Sequence, residues 1–140
     1  MRRYVSENLR LKVATRAQFK CEYCLVQEED MFFTYQVDHI ISIKHGGSNE
    51  IENLAYACSA CNQSKGKDLG TYLPDGNRLI RLFNPRRDRW NAHFTISDGE
   101  ILPKTKIGEA TVKILGLNDS DRIMLRQALI AAGRYPPSGK

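Results

Sequence analysis

The amino-acid sequence predicts an α+β fold built around a strand–loop–strand–short helix unit. Residues 36–43 are rich in Val and Ile and predict a strand. Residues 53–56 predict a short return strand after a Gly-Gly loop. Ser59–Lys65 then predicts a short helix that Gly66 can end. We expect an N-terminal helix before this unit, and strands plus two helices after it.

The N-terminal helix is predicted to begin after Ser6, which can cap it, and to run from Glu7 to about Phe19. Its apolar face is predicted to contain Leu9, Val13 and Ala17, broadened by Leu11, Ala14 and Phe19. We interpret the basic residues off this face as solvated rather than bound to DNA. The short apolar segment 31–33 is expected to pack against the rest of the fold.

The second half of the chain predicts further strands and helices. The expected elements are a turn at 74–76, a strand at 78–83, a hairpin at 93–102 with a Gly turn, a helix at 109–115 and a last helix to about Ala132. Asp119 or Ser120 can cap the last helix, and its wide apolar stripe (Ile123, Met124, Leu125, Ala128, Leu129 and Ile130) predicts a mostly buried face. We divide the chain into a core, 1–70, and a basic α+β extension, 71–140, packed on it as one structural unit.

Charge is distributed unevenly along the 140 residues, which have a net charge of +5. Residues 1–61 contain 7 Lys and Arg against 8 Asp and Glu, whereas residues 62–140 contain 14 against 8. The cationic surface therefore belongs to the second half. This favours a polyanionic partner such as nucleic acid.

The sequence predicts neither an N-terminal secretory signal nor a membrane-spanning segment. The N-terminus lacks the apolar stretch of a secretory signal. No apolar run approaches the roughly 20 residues that span a bilayer. We therefore expect a cytoplasmic protein with no membrane partner, in which thiols stay reduced.

All four cysteines occur in two Cys-x2-Cys pairs, Cys21 with Cys24 and Cys58 with Cys61. A single pair is also compatible with a redox dithiol. Together, the two pairs supply the four thiolates of a closed tetrahedral zinc site. Because such a site has no open coordination position, the predicted Zn2+ is structural rather than catalytic.

The motif Cys-x2-Cys … Asp-His-Ile … Gly-Gly … Asn-Leu … Cys-x2-Cys-Asn-x2-Lys-Gly, over residues 21–67, closely resembles the HNH endonucleases. The resemblance implies a ββα-metal (His-Me finger) core. Residues 82–90 also resemble the C-terminal part of small bacterial, especially cyanobacterial, HNH proteins, which implies no further role.

The resemblance implies a role for four polar residues. His39 would be the general base that activates water, and Asp38 would be a ligand to a divalent ion. Asn53 would hold the loop opposite His39 rather than take part in the chemistry. Asn62 would be the second protein ligand. Many family members have His at this position, and an amide with a carboxylate offers only oxygen, which suits Mg2+ or Mn2+ better than Zn2+.

Several basic residues are candidates for DNA binding. Lys65 and Lys67 follow the motif, and further arginines lie close to Trp90, in particular Arg86, Arg87 and Arg89. The alternative is that Trp90 belongs to the core and that Asp88 pairs with an arginine across the fold.

We therefore predict an endonuclease that hydrolyses DNA phosphodiester bonds with one divalent ion, giving the 5′-phosphate and 3′-hydroxyl ends that the family implies. RNA is an alternative substrate. The main competing interpretation is a zinc-stabilised module that binds nucleic acid without cutting it, and the third is a structural or protein-interaction zinc fold. Specificity, biological role and oligomeric state are not readable from the sequence.

Overall fold

A computed structural model describes residues 5–137 of the chain. Its helices are α1 (Glu7–Arg16), α2 (Ser59–Lys65), α3 (Trp90–His93), α4 (Lys106–Leu115) and α5 (Ser120–Ala131). Its strands are β1 (Gln36–His39), β2 (Leu54–Ala57), β3 (Gly70–Tyr72), β4 (Leu79–Arg81), β5 (Phe94–Ser97) and β6 (Glu100–Pro103). The strands form three antiparallel pairs, β1–β2, β3–β4 and β5–β6. The predicted α+β class is confirmed.

Helix α1 begins as predicted but ends earlier. The Ser6 hydroxyl accepts a hydrogen bond from the Leu9 amide at 3.1 Å, which confirms the predicted cap. The helix ends at Arg16 instead of Phe19 because Gln18 and Phe19 have left-handed backbones, with φ values of 58° and 57°.

The apolar surface that α1 buries is narrower than predicted. Val13, Ala14 and Ala17 are buried, but Leu11 is 58% exposed and Phe19 is also exposed. The expectation that residues 31–33 pack into the fold was likewise wrong, since Phe32 is fully exposed. Both errors have the same cause: an apolar residue needs a neighbouring element to cover it, and the sequence pattern does not show where those elements lie.

Strand β1 ends at His39, four residues before the end predicted for it. The backbone N–H and C=O of Ile41 bond to the side chain of Asn53 and not to a neighbouring strand. The chain then forms a short 3-10 turn at Ile43–His45. The side chain of Asn53 thus takes the place of a strand partner for Ile41, and the loop begins there.

Helix α2 has the bounds that the sequence predicts. Cys58 caps it, its sulfur lying 3.4 Å from the Cys61 amide, and the Gly66 amide closes the helix by bonding to the carbonyl of Asn62. The short helix follows β2 directly and packs against β1, which completes the predicted strand–loop–strand–helix unit.

The C-terminal half contains the predicted hairpin at β5–β6, with Asp98 and Gly99 at positive φ in the turn. Strand β3 and the short helix α3 were not predicted. Helix α4 begins at Lys106, three residues before the predicted Glu109, because Thr105 caps it by accepting a hydrogen bond from the Gly108 amide at 3.0 Å.

The apolar stripe of α5 is not a buried face, so that prediction was wrong. Met124 is 67% exposed, whereas Arg126 is the buried residue of the helix. The guanidinium of Arg126 donates to the carbonyls of Gly99 at 2.6 Å and Leu117 at 2.7 Å. Hydrogen bonds from Nε and Nη2 offset the cost of burying this cation.

The two halves of the chain share contacts at several points. The indole Nε1 of Trp90 donates to the Tyr23 carbonyl at 2.9 Å, and the Tyr135 hydroxyl donates to the Cys24 carbonyl at 2.7 Å. Arg86 forms an ion pair with Glu22. Within residues 5–137, the helices are too short and too polar for any to cross a membrane.

Candidate active site and metal cluster

The end of β1 directs two adjacent polar side chains toward one cleft. Asp38 lies opposite Ala55 of β2, and His39, the last residue of the strand, lies opposite Leu54. Neighbouring strand residues normally face opposite sides, so a shared site requires a strand end. The cleft has a volume of about 430 Å³ and is lined by both residues together with Asn62 of α2.

Asp38 is 3% exposed and is held by two partners. The Tyr23 hydroxyl donates to its Oδ2 at 2.7 Å, and the Lys65 ammonium lies 3.2 Å from the same oxygen. Burial raises the pKa of the Asp38 carboxyl above its ordinary value, while Lys65 and Tyr23 act in the opposite direction. The sequence offered no local signal for Tyr23, because its side chain reaches Asp38 from the loop between the first two cysteines.

His39 is partly exposed, and its Nε2 lies 2.6 Å from the side-chain oxygen of Asn49. A carboxamide oxygen can only accept a hydrogen bond. A hydrogen bond at this contact requires a proton on Nε2, and in a neutral imidazole Nδ1 would then be the basic nitrogen. Asn49 was not singled out in the sequence, where it is one of several polar loop residues.

Asn53 organises the loop that faces His39. Its Oδ1 accepts from the Ile41 amide at 2.9 Å, and its Nδ2 donates to the carbonyls of Ile41 and Ser48, both at 2.8 Å. Gly47 is required beside it, since a Cβ there would lie 1.7 Å from the Ile41 carbonyl oxygen. The Asn53 side chain makes these bonds to the backbone of the loop, and Asn53 is not among the residues that line the cleft.

Asn62 lies in the middle of α2, directly after Cys61. Its Nδ2 donates to the Gln36 side-chain oxygen at 2.5 Å, which orients the carboxamide. The Asn62 Oδ1 is then the atom suited to a cation in the cleft. Gln36 is a second orienting residue that the sequence did not indicate.

The two cysteine pairs meet in a buried cluster. The four sulfur atoms of Cys21, Cys24, Cys58 and Cys61 lie within 4.8 Å of one another, and none forms a disulfide. The sulfurs of Cys24 and Cys58 are 3.8 Å apart. Four thiolates about 2.3 Å from one Zn2+ would be about 3.8 Å apart in a tetrahedron. The sulfur spacing therefore suits structural zinc, and a bound cation would favour the ionised form of the Cys21 thiol, whose pKa is raised by burial.

The predicted DNA-binding residues differ in their accessibility. Lys65 is 2% exposed, and its ammonium donates to the Asp38 carboxylate and to the carbonyls of His39 and Ile40 at 3.1 Å, so it presents no charge at the surface. Lys67, Arg87 and Arg89 are exposed, and Lys67 lines the cleft.

Two arginines near Trp90 in the sequence, Arg81 and Arg86, have protein partners. Arg86 pairs with Glu22, and Arg81 forms a two-point ion pair with Asp88 at 2.8 and 3.0 Å. Trp90 packs on Phe94 with ring centroids 4.9 Å apart. Asp88 thus pairs with an arginine as in the alternative interpretation, and Trp90 is partly buried and packs against the core. DNA contact by Arg87 and Arg89 stays a prediction.

Comparison with known proteins agrees with this geometry. Residues 21–68 match the family model described as HNH endonuclease, a span that contains all four cysteines and the cleft residues Asp38, His39 and Asn62. Septu protein PtuA of Bacillus mycoides (strain KBAB4) is 26% identical in an alignment 135 positions long, and the alignment covers 76% of this chain and 18% of that protein. The chain thus spans less than a fifth of the length of this relative. No solved structure matches the chain significantly. The predicted resemblance is confirmed over residues 21–68, which match the HNH endonuclease family model, and this match supports a function related to nucleic acid.

Proposed function

We propose that this domain hydrolyses DNA phosphodiester bonds with one divalent ion, Mg2+ or Mn2+, and with His39 as the general base. The observation that carries the proposal is that Asp38, His39 and Asn62 line one open cleft. A carboxylate, an imidazole and a carboxamide arranged together can hold a hard cation and accept a proton.

The donor set fits such an ion. Tyr23 and Lys65 approach Asp38, but a carboxylate has about four acceptor positions, so capacity remains toward the cleft. With Asn62 it supplies two oxygen ligands and leaves other positions for water and phosphate. When bound, the ion would stabilise negative charge on the phosphate and on the departing oxygen.

His39 and Asn49 of this chain would carry out the proton transfer. His39 accepts a proton from water at Nδ1, because Asn49 holds the proton already present on Nε2. The water oxygen forms a bond to phosphorus as the bond to the 3′ oxygen breaks. The departing 3′ oxygen takes a proton from a solvent water molecule, and His39 later returns its proton to solvent. The products carry a 5′-phosphate and a 3′-hydroxyl.

Exposed cations would hold the strand beside the cleft. Lys67 lines the cleft itself, and Arg87 and Arg89 are exposed in the basic half of the chain. Lys65 has a structural role instead, because its ammonium is buried.

We further propose a cytoplasmic location, because the four cysteines must stay reduced to bind metal.

Cleavage of supercoiled plasmid DNA tests the proposal. The full chain is incubated with Mg2+ or Mn2+, with and without EDTA, and compared with His39→Ala and Asn62→Ala. We expect nicked or linear products with the wild type, loss of cleavage with EDTA, and a fall of at least about a hundredfold for His39→Ala. End-labelling then identifies which product end carries the phosphate.

His45→Ala is the matched control, since His45 is an exposed histidine in the turn that follows β1 and does not line the cleft. It should cleave like the wild type. Equal activity of wild type and His39→Ala in the presence of metal would contradict the proposal. Retarded DNA migration without products across several divalent ions would instead favour a module that binds without cutting, and cleavage confined to RNA would change the substrate class.

A further inference from the structure

Arg122 connects the last helix to the cysteine cluster. Its Nη2 lies 2.9 Å from the sulfur of Cys61 and 3.9 Å from that of Cys58. These cysteines lie at the start of α2, and 61 residues of sequence separate Cys61 from Arg122. The contact therefore joins the family domain to a helix that lies outside residues 21–68.

The other terminal nitrogen of Arg122 binds the end of α4. Its Nη1 donates to the carbonyls of Leu115 at 2.7 Å and Gly116 at 3.2 Å. Carbonyls at a helix C-terminus lack partners within the helix and carry partial negative charge. One guanidinium thus joins α2, α4 and α5.

The charge of a loaded cluster explains why a cation is buried there. Four thiolates and one divalent ion carry a net charge of −2, and a buried charge is costly unless it is paired. N–H···S contacts from Arg122 compensate part of that charge and hold two of the sulfurs in place. Arg126, four residues further along α5, instead bonds to backbone and side-chain oxygens.

We propose that Arg122 is a positioning residue of the metal cluster that couples metal occupancy to the docking of α5 on the core. The loaded cluster, with its net charge of −2, attracts the Arg122 guanidinium, so loss of the metal weakens the packing of α5 on the core. By reciprocity, loss of the Arg122 contact weakens retention of the metal. This coupling does not depend on catalysis.

Zinc release to an excess of chelator, followed with a chromogenic indicator, tests the proposal on the purified full chain. We expect Arg122→Met to release zinc about tenfold to a hundredfold faster than the wild type, the usual effect of losing a partner of a metal ligand. Arg122→Lys keeps the charge but cannot bond the sulfurs and the α4 carbonyls together, so we expect a smaller acceleration. Arg122→Lys also tests the proposal if Arg122→Met does not fold.

Arg126→Met is the matched control, because it removes a buried arginine from the same helix without removing a sulfur contact. It should release zinc at close to the wild-type rate. Hydrogen exchange gives a second readout: stripping zinc should increase exchange in α5 of the wild type much more than in Arg122→Lys. Equal rates of zinc release from the Arg122 and Arg126 variants would overturn the proposal. So would a hydrogen exchange rate in α5 that does not change when zinc is removed, or a wild-type protein that binds no zinc.

Discussion

The ammonium of Lys65 lies 3.2 Å from the carboxylate of Asp38, and both side chains are buried. This ion pair links α2 to β1 directly beneath the cleft, and the same ammonium bonds to the His39 carbonyl at 3.1 Å. Lys65 therefore holds both adjacent residues of the proposed site, one through its side chain and the other through its backbone.

Replacement of Lys65 by Met should lower the free energy of unfolding by about 3–5 kcal/mol, because it leaves the Asp38 carboxylate buried without its cation. Urea denaturation at neutral pH measures this. Lys67→Met is the control, since Lys67 is exposed two residues away and should change stability by less than about 0.5 kcal/mol. Equal losses in the two variants would contradict the structural role of Lys65.

The loss in free energy of unfolding caused by Lys65→Met should also depend on pH. Burial already raises the pKa of Asp38, and loss of the opposing cation raises it further. Above the ordinary pKa of an unfolded aspartate, about 3.9, the folded variant then binds more protons than the unfolded chain, so its stability falls as pH rises. Repeating the denaturation at pH 4.5 and 7 should show a smaller deficit at the lower pH.

Replacement of Asn49 by Ala should reduce the cleavage rate about tenfold to a hundredfold, part of the contribution that proton transfer makes to catalysis. The reason is that Asn49 holds the His39 proton on Nε2. Asn49→Asp keeps an acceptor oxygen and should restore much of the rate. Nitrogen-15 NMR of His39 should show the Nε2-protonated tautomer in the wild type and a mixture in Asn49→Ala; an unchanged tautomer would exclude this role.

Replacement of Gly47 by Ala should destabilise the fold by about 1–3 kcal/mol, the range for a group forced into packed space. The added Cβ would lie 1.7 Å from the Ile41 carbonyl oxygen and 2.7 Å from Asn53 Nδ2, so the loop opposite His39 must move. Thermal unfolding and DNA cleavage should both be impaired. Gly76→Ala is the control, because the nearest atom to its Cβ would be 4.0 Å away.

Replacement of Cys58 by Ser should remove the bound zinc and unfold much of the domain, because metal binding contributes directly to folding at four-thiolate sites. Elemental analysis should find about one zinc ion per wild-type chain and less in the variant. Circular dichroism should show the loss of structure. Ser64→Ala, an exposed change on the same helix, should retain both metal and fold. A folded wild-type protein without metal would refute the zinc assignment.

Replacement of both Arg87 and Arg89 by Ala should weaken DNA binding at low salt and reduce the salt dependence of affinity. Each phosphate contact contributes about 0.9 to the slope of log K against log salt, so we expect a reduction of about 2. Binding titrations at several salt concentrations measure it. Lys106→Ala is the control, because Lys106 already pairs with Asp75. An unchanged slope would exclude these arginines as phosphate contacts.

The sequence by itself determined the elements whose signals are local. The spacing of the cysteines predicted the four-sulfur cluster, and Cys58 with Gly66 predicted both ends of α2. The order of the motif residues identified the family, because Asp38, His39 and Asn62 must follow one another in a set pattern. Such features depend on ligand geometry and helix ends, which a few neighbouring residues define.

Only the tertiary structure decided which cations are buried and which apolar residues are exposed. Lys65 resembled a surface phosphate contact until its distance to Asp38 was known, and the apolar stripe of α5 gave no sign that Arg126 would be its buried residue. Arg122 meets Cys61 across 61 residues of chain. Burial and ion pairing depend on neighbours that are distant in sequence, so no local pattern could reveal them.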